Sequence, residues 1–410
     1  MLRSMYAGVS GLKAHQQQMD VIGNNISNVN TTGFKGSRVT FKEMLSQTIN
    51  GASSPQGGRG GTNPKQIGLG VQLGSIDKNM GQGSLQSTGK ETDVALQGNG
   101  FFIVNDGNQN RYTRAGNMTF DKDGYLVNSA NGNRVQGWVA AEDGTIDQTN
   151  MDNLEDISLD QSMDASASGE IILEGNLDAS ASQKVVSTSI YDSLGFEHDI
   201  SLTMNKTADN EWTVDPANIN ITGSSAINSP SSAQTIEFDG TTGQYTSGGF
   251  DINFDPSTGV GASQTVSIDF SQLTQFAGDM TADVDQVDGY PQGELKDFTI
   301  NDAGAIVGSF DNGYNKTLAQ IGVAEFANPA GLNKSGETMY TVSNNSGYPK
   351  VGPAGSGGKG FISSSKLEMS NVDLAEQFTK MITSQRGFQA NSKVITTSDE
   401  MLQGLVNIKR

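Results

Sequence analysis

The chain of 410 residues has no cysteine, which excludes a disulfide framework and any thiolate metal site and leaves redox usage silent on compartment. Histidine is nearly absent. Of the two present, His15 lies among Gln16, Gln17 and Gln18, and His198 lies between Glu197 and Asp199 on an alternating stretch. That alternation points the carboxylates to one face and the imidazole to the other, so neither histidine belongs to a ligand set. Long apolar runs are missing too: no segment is long enough to span a bilayer, and no membrane insertion is expected. Met1 to Asp20 holds neither an apolar core of roughly 7–15 residues nor a small-residue cleavage site, so no secretory signal peptide is expected. Positive charge is scarce, with 26 Lys and Arg against 45 Asp and Glu and a net charge of −19, which argues against nucleic acid and anionic membrane as partners.

Catalytic patterns are likewise missing. There is no Gly-x-Ser-x-Gly elbow, Walker loop or His-Glu-x-x-His. Asp121 and Asp123 suggest a calcium loop, but the downstream ligands of an EF-hand do not follow. Paired carboxylates for glycoside hydrolysis cannot be singled out in so acidic a chain. The expectation is therefore a protein with no catalytic residues, no cofactor and no metal, which is not an enzyme.

What is present is concentrated at the two ends. From Lys366 to Arg410 apolar residues recur at every seventh position, at Leu367, Leu374, Met381, Phe388, Ile395 and Leu402, the signature of one stripe along a helix. Phe378, Ile382, Leu405 and Val406 widen that stripe, while Gln385, Ser392 and Asp399 are expected at the companion seam positions. Asp373 precedes Glu376 by three residues, a capping-box-like start, and with no later proline a helix of roughly 35 residues and about 50 Å is expected. At the other end Leu2, Met5, Val9, Leu12, Met19, Ile22 and Ile26 form a second stripe with polar interruptions. Gly8, Gly11 and Gly23 lower helix propensity there but permit close approach of another helix. A long isolated helix is marginal in water. Each end therefore needs a partner, and the two stripes are expected to pair with each other and with copies of themselves. The first helix is expected to stop near Asn28, because Asn28, Asn30 and Gly33 tolerate turn geometry and Thr31 and Thr32 bond locally to the backbone.

Two long motifs then become legible. Asp20-Val21-Ile22-Gly23-Asn24-Asn25-Ile26-Ser27-Asn28, followed by Thr32-Gly33-Phe34-Lys35, resembles the N-terminal signature of the bacterial flagellar rod and hook family. Ser370-Asn371-Val372-Asp373-Leu374, Gln385-Arg386-Gly387-Phe388-Gln389-Ala390-Asn391 and Met401-Leu402-Gln403-Gly404-Leu405-Val406 resemble its C-terminal signature.

Between the ends, Gly51 to Lys65 reads as a flexible Gly-rich loop. From Leu69 the pattern becomes alternating strands, around Val71 to Ile76, Asp93 to Leu96, Phe101 to Val104, Tyr112 and Met118 to Phe120, with turns at Gly98-Asn99-Gly100, Asp106-Gly107 and Asp123-Gly124. Phe120 to Val127 is echoed by Ile300 to Val307, and both read as hairpins with a tight turn. They flank a block rich in Ser, Thr, Ala, Asn and Asp whose strands, such as Lys184 to Tyr191, His198 to Met204, Glu211 to Val214 and Thr265 to Phe270, suit an antiparallel sandwich or barrel.

The expected fold is mainly β with α-helical termini: N- and C-terminal helices paired in a coiled-coil-like inner domain, plus two or more antiparallel β domains nested by insertion. The expected divisions are 1–30 with 371–410 as the helical polymerisation domain, 31–70 with 360–370 as an extended connecting segment, 71–142 with 287–359 as an inner β domain, and 143–286 as an inserted outer β domain. Residues 1–47 and 366–410 together carry +4, leaving −23 on the remainder. The near-neutral ends can thus pack against copies while acidity keeps the β domains hydrated.

The resemblance implies a structural subunit of the flagellar hook, self-assembling into a flexible extracellular tube that couples the basal-body rod to the filament and transmits torque as a universal joint. It further implies type III export and contacts with rod, hook cap and hook-filament junction proteins. The self-assembly interface is expected at Leu2, Met5, Val9, Leu12, Met19, Ile22, Ile26, Leu374, Phe378, Met381, Phe388, Ile395, Leu402 and Leu405, and the motif residues at Asn24, Asn25, Asn28, Gly33, Phe34, Lys35, Asn371, Val372, Asp373, Gln385 and Arg386. Two alternatives stand beside this reading. The Gly-rich insertion resembles one in distal rod proteins of the same family, and a secreted acidic β-domain adhesin or carbohydrate-binding protein is the rival from another class.

Overall fold

A computed structural model describes residues 2–56, 58, 60–141, 143–147, 154–256 and 263–408; the side chains of Leu2, Leu405, Ile408 and residues 225–229 lie outside that description. Two helices bracket the chain: α1, Leu2–Ser27, and α2, Leu374–Ile408. The start of α2 is fixed by Asp373, whose carboxylate accepts from the backbone N–H of Ala375 at 2.8 Å and Glu376 at 3.1 Å, an N-cap that satisfies two of the helix's orphan donors. Glu376 turns forward to Lys380, 2.6 Å away. The end of α1 is set by Asn28, whose amide donates to the Asn24 carbonyl while its oxygen accepts from Thr31.

The chain divides into two compact units. The first comprises Met1–Leu159, Thr299–Val307 and Thr317–Arg410; the second comprises Asp160–Phe298 and Gly308–Lys316.

In the first unit, Phe101–Asn105 lies at the centre of an antiparallel sheet, between Asn110–Thr113 and Arg134–Val139, and Met339–Thr341 pairs on the far side of Asn110–Thr113. One face of this sheet is closed by aromatic contacts. Phe101 meets Phe326 and Tyr340 edge-on at 5.9 and 5.7 Å, and Tyr112 meets Phe326 at 4.8 Å, the T-shaped arrangement that the ring quadrupole favours. The two echoing segments fold alike. Asp121 N–H donates to Tyr125 O at 3.0 Å and Asn301 N–H to Ala305 O at 3.0 Å, and in each turn the side chain of that first residue accepts two backbone N–H groups. Gly124 and Gly304 close the two turns at φ of 83° and 82°, a conformation that strains any residue with a Cβ.

The Gly-rich stretch departs from expectation. Ser37–Glu43 pairs with Val71–Lys78, Ser46–Asn50 pairs with Lys65–Gly68, and Ser53 bridges to Thr62. The stretch thus continues a long two-stranded ribbon as far as the Ser53–Thr62 bridge and is not a loop on its own. Glycine and proline signal the turn, but they mask the short pairing strands that lead into it.

The second unit is a β-sandwich. One sheet runs Ser224–Ser229, Phe250–Pro256, Gln264–Thr274, Glu170–Asn176, Asp283–Val287; the other runs Gln183–Tyr191, Glu197–Ala208, Glu211–Val214, Gln234–Phe238, Tyr245–Ser247. Alternation along each strand sends Ile171, Leu202, Trp212, Phe254, Val266 and Phe270 into one shared core, as the period of two requires. The expected purely antiparallel order does not hold throughout, since Glu170–Asn176 pairs parallel with Gln264–Thr274 in the register Ile171↔Ile268. Parallel and antiparallel neighbours share the same side-chain alternation, so strand direction is invisible to a periodicity argument.

Candidate functional site

The two helices run antiparallel and meet along a seam of small and polar residues. On α1 the contacting positions are Ser4, Gly8, Gly11, His15 and Asn25; opposite them on α2 are Ser398, Ile395, Asn391, Ser384 and Gln377. Ser4 and Ser398 hydroxyls lie 3.4 Å apart, Ser384 donates to the His15 carbonyl at 3.1 Å, and the Asn25 amide donates to Gln377 Oε1 at 3.1 Å. A Cβ on Gly11 would stand 2.7 Å from the Asn391 amide, and one on Gly8 would stand 3.2 Å from Ile395 Cγ1. These two glycines let the backbones approach, whereas Gly23 faces open space. Gly387 completes the fit from the other side, its hydrogen occupying the space beside His15 Nε2.

This geometry corrects one expectation. The companion rail of α2 is not Gln385, Ser392 and Asp399 but Gln377, Ser384, Asn391 and Ser398, one residue earlier. Gln377, Ser384 and Ser398 are buried while Gln385 and Asp399 are exposed. The rail of Met381, Phe388, Ile395 and Leu402 is half-buried beside it. Because α1 offers glycine, serine and histidine there, the seam pairs mostly small with polar, with Ile395 against Gly8 and the buried Ile22 as its large apolar members, and the other large apolar side chains are left at its margins. On α1 Ile22 is buried and Met5, Leu12, Met19 and Ile26 are half-buried, but Val9 is 52% exposed. On α2 Leu374 is exposed, as is Phe378 at 51%. Tyr6, Ile382, Val394, Met401 and Val406 are exposed as well. Leu2 and Leu405 have side chains outside the described residues.

Where the helices meet the first β unit, the segments that follow α1 and precede α2 are tied into a knot. Gly33 N–H donates to Glu368 O at 2.7 Å, Gly36 N–H to Asn371 Oδ1 at 2.9 Å, and the Asn371 amide to Asn79 O and Gly81 O. Asn25 exchanges two bonds with the Ser37 backbone, donating to its carbonyl at 2.7 Å and accepting from its N–H at 2.9 Å. Phe34 is buried with the Lys334 ammonium 4.7 Å above its ring, and Gly36 sits against Val372. At the centre Lys35 Nζ donates to Glu368 Oε1 at 2.7 Å and to Gly81 O at 2.8 Å. Gly83 N–H donates to the same carboxylate oxygen, and Arg114 Nη1 reaches Oε2 at 3.3 Å.

The side chains of Lys35, Glu368 and Arg114 are 1%, 0% and 5% exposed. Burial pulls the Lys35 ammonium below its ordinary value; Glu368 opposes that shift and Arg114 adds to it. Arg114 is likewise lowered by burial against the pull of Glu368. Beside them burial pushes the Tyr340 hydroxyl up to about 12.

Asn25, Gly33, Phe34, Lys35, Asn371 and Val372 from the two motifs therefore converge in one place, with Asp373 capping the helix that leaves it. Asn24 is exposed one turn away, Asn28 terminates α1, and Gln385 and Arg386 lie exposed on α2 outside the knot. Sequence reasoning missed Glu368, Arg114 and Gln377. The one local hint was Glu368 between Leu367 and Met369, which period-based reading treats as noise; Arg114, between Thr113 and Ala115, carried none. Among the described residues no group of three or more His, Cys, Asp or Glu side chains could hold a metal, and no helix is long and apolar enough to cross a membrane.

Residues 5–35 match the family described as flagella basal body rod protein, and residues 363–408 match the flagellar basal body rod FlgEFG protein C-terminal family. Residues 95–173 match the flagellar hook protein FlgE/F/G D1 domain and residues 174–290 the flagellar basal body protein FlaE D2 domain. Flagellar hook protein FlgE of Borreliella burgdorferi is 42% identical and that of Treponema pallidum 38% identical, each alignment covering 100% of both chains. Flagellar basal-body rod protein FlgG of Bacillus subtilis is 34% identical with the same coverage. A crystal structure of Helicobacter pylori flagellar hook protein FlgE2 shares the fold at a TM-score of 0.53 and 17% identity, over 69% of this chain and 100% of that one. With matches in order from residue 5 to residue 408 and full-length relatives well above 30% identity, the chain belongs to the flagellar rod and hook protein family of the bacterial flagellum.

Proposed function

We propose that the chain is a subunit of the flagellar hook, assembling with many copies of itself into a flexible helical tube that joins rod to filament and transmits torque. One observation carries this reading. The helix pair spends its small and polar residues on itself and turns Tyr6, Val9, Phe378, Ile382, Met401 and Val406 outward, an arrangement that further copies of the same helices can cover. The mechanism is mechanical: helices pack into an inner layer, and β units slide against neighbours as the tube bends. Rod, hook cap and hook-filament junction proteins are the partners at its ends, the type III apparatus exports the chain, and its site is the extracellular part of the basal structure.

Electron micrographs of the purified, concentrated protein test this directly. Curved tubes are expected, with residues 1–30 and 370–410 cut by protease in the monomer and protected in the tube. A protein that stays monomeric at every concentration, or whose ends are equally protected in both states, defeats the proposal. A distal rod subunit is the second reading, favoured by the full-length similarity to FlgG and by the Gly-rich insertion that the ribbon of Ser46–Asn50 and Lys65–Gly68 carries. It predicts straight tubes. Under either reading, deleting residues 51–63 is expected to soften the assembled tube, and unchanged bending stiffness counts against a role for the ribbon.

A further inference from the structure

The knot holds two cations and one carboxylate, drawn from three distant points of the chain. Lys35 follows α1, Arg114 immediately follows the strand Asn110–Thr113, and Glu368 ends the strand Lys366–Glu368, shortly before α2. Among the described residues Glu368 is the one carboxylate within ion-pair distance of either cation. Both of its oxygens are engaged, with Gly83 N–H as a third donor. Arg114 also donates to the carbonyls of Leu96 and Gly98 and stacks over Phe101 at 5.3 Å, so its position is set by the sheet that forms the middle of the first unit. Carbonyls alone leave the Lys35 and Arg114 charges uncompensated. Burying an ion without its counter-ion is among the most costly events in folding.

We propose that the Lys35–Arg114–Glu368 cluster is a completion gate: the first unit closes only after the C-terminal segment has arrived and supplied its carboxylate. Every chain is made from its N-terminus, so residues 1–365 exist before Glu368 does. Until it docks, Lys35 and Arg114 keep their hydration, and the sheet around Phe101 stays open on the side they will fill. A chain that has not yet reached Glu368, and so has no α2 to pair with α1, is held from closing early. The device goes beyond the assembly reading and stands whether or not these chains form a hook.

Pulsed hydrogen exchange during refolding of the full chain tests it. In the wild-type protein the strands between residues 94 and 139 are expected to gain protection at the same rate as residues 366–372. In the apolar triple variant Lys35→Met, Arg114→Met, Glu368→Leu, residues 94–139 are expected to gain protection at least about tenfold sooner than 366–372. Protection of 94–139 ahead of 366–372 in the wild type overturns the proposal, as does an unchanged order in the variant. Should the triple variant fail to fold, equilibrium exchange decides. Glu368→Gln is expected to lower protection of the first unit by roughly a hundredfold or more, with the second unit unaffected. Adding Lys35→Met to that background is expected to restore at least about tenfold, because one of the two uncompensated charges is gone. A further loss instead identifies the contacts, not the charge, as the cause and overturns the gate.

Discussion

The sandwich of the second unit and the terminal helix pair solve opposite problems. In the sandwich, strand alternation delivers Trp212, Phe254, Ile252 and Phe270 to a core with essentially no exposure, so the unit is finished within one chain. In the helix pair the contact face is made mostly of Ser4, Gly8, Gly11, Ser384, Asn391 and Ser398, and apart from Ile22 and Ile395 the large apolar residues lie at its margins or point away. An interface of small residues brings backbones close but buries little apolar area, and apolar area is what stabilises a helix in water. The difference teaches that burial pattern, more than hydrophobic content, separates a part that folds for itself from a part that folds for an assembly.

The comparison is broken most severely by emptying the sandwich core. Trp212→Ala is expected to destabilise the second unit by about 3–5 kcal/mol, seen as a lower urea midpoint for strands 183–273, while the helix pair keeps its ellipticity at 222 nm. A loss of both together would show that the two regions do not fold separately. The next largest effect lies in alkali. The Tyr340 hydroxyl is pushed up to about 12, chiefly by burial, with Glu368 adding to the shift and Arg114 opposing it. The folded chain therefore holds this proton above the unfolded tyrosine value of about 10, and the stability it contributes is whole below pH about 10 and lost as pH rises through about 12. The loss amounts to about 2–3 kcal/mol. Lys35 runs the other way, since its lowered value makes the fold gain stability as pH climbs toward the ordinary lysine range. Tyr340→Phe isolates the first effect: urea midpoints of the first unit should fall less between pH 10 and 12 than in the wild type, and an equal fall removes Tyr340 as the cause.

How far each region was legible in the sequence follows from the same contrast. Strands of the sandwich were readable because a shared core writes a period of two into residues such as Val186, Ile200, Leu202 and Met204. Their directions were not, and the parallel pair at Ile171 and Ile268 went unseen. The helices were readable from the seven-residue spacing of Met381, Phe388, Ile395 and Leu402. Their mutual seam was misplaced by one residue, because serine, asparagine and glycine leave no hydrophobic signal to say which side of the rail is covered. The knot was half visible. Gly33, Phe34, Lys35 and Asn371 stand out as motif residues, whereas Glu368 and Arg114 are single charges whose burial depends on segments 254 or more residues apart, and no local pattern encodes that.

Gly11→Val sharpens the contrast at the seam. The added Cβ would lie 2.7 Å from the Asn391 amide, and the branched side chain cannot fold away within a helix. Overpacking of this kind is expected to weaken α1–α2 pairing by about 1–3 kcal/mol, read as faster proteolysis of residues 1–30. The paired change Gly11→Val with Asn391→Ala should recover part of that loss, because the obstructing amide is gone. No recovery would mean that the valine clashes elsewhere and that the two positions do not face each other in solution.

The smallest change in the monomer is expected to have the largest consequence for assembly. Phe378 is half exposed on α2, and exposed positions tolerate substitution within about 0.5 kcal/mol. Phe378→Asp should therefore leave helix content and urea midpoints of the isolated chain unchanged, while a carboxylate in the middle of a face that copies must bury blocks tube formation through the cost of an unpaired buried charge. Thr379→Asp, also exposed but turned about 100° around α2 from Phe378, is the matched control and should assemble. If both variants assemble equally well, the outward apolar residues of α2 are not what copies of this chain bury. The helix pair would then have to be held in the tube by some other face, and the contrast between a self-sufficient sandwich and an unfinished helix pair would lose its functional meaning.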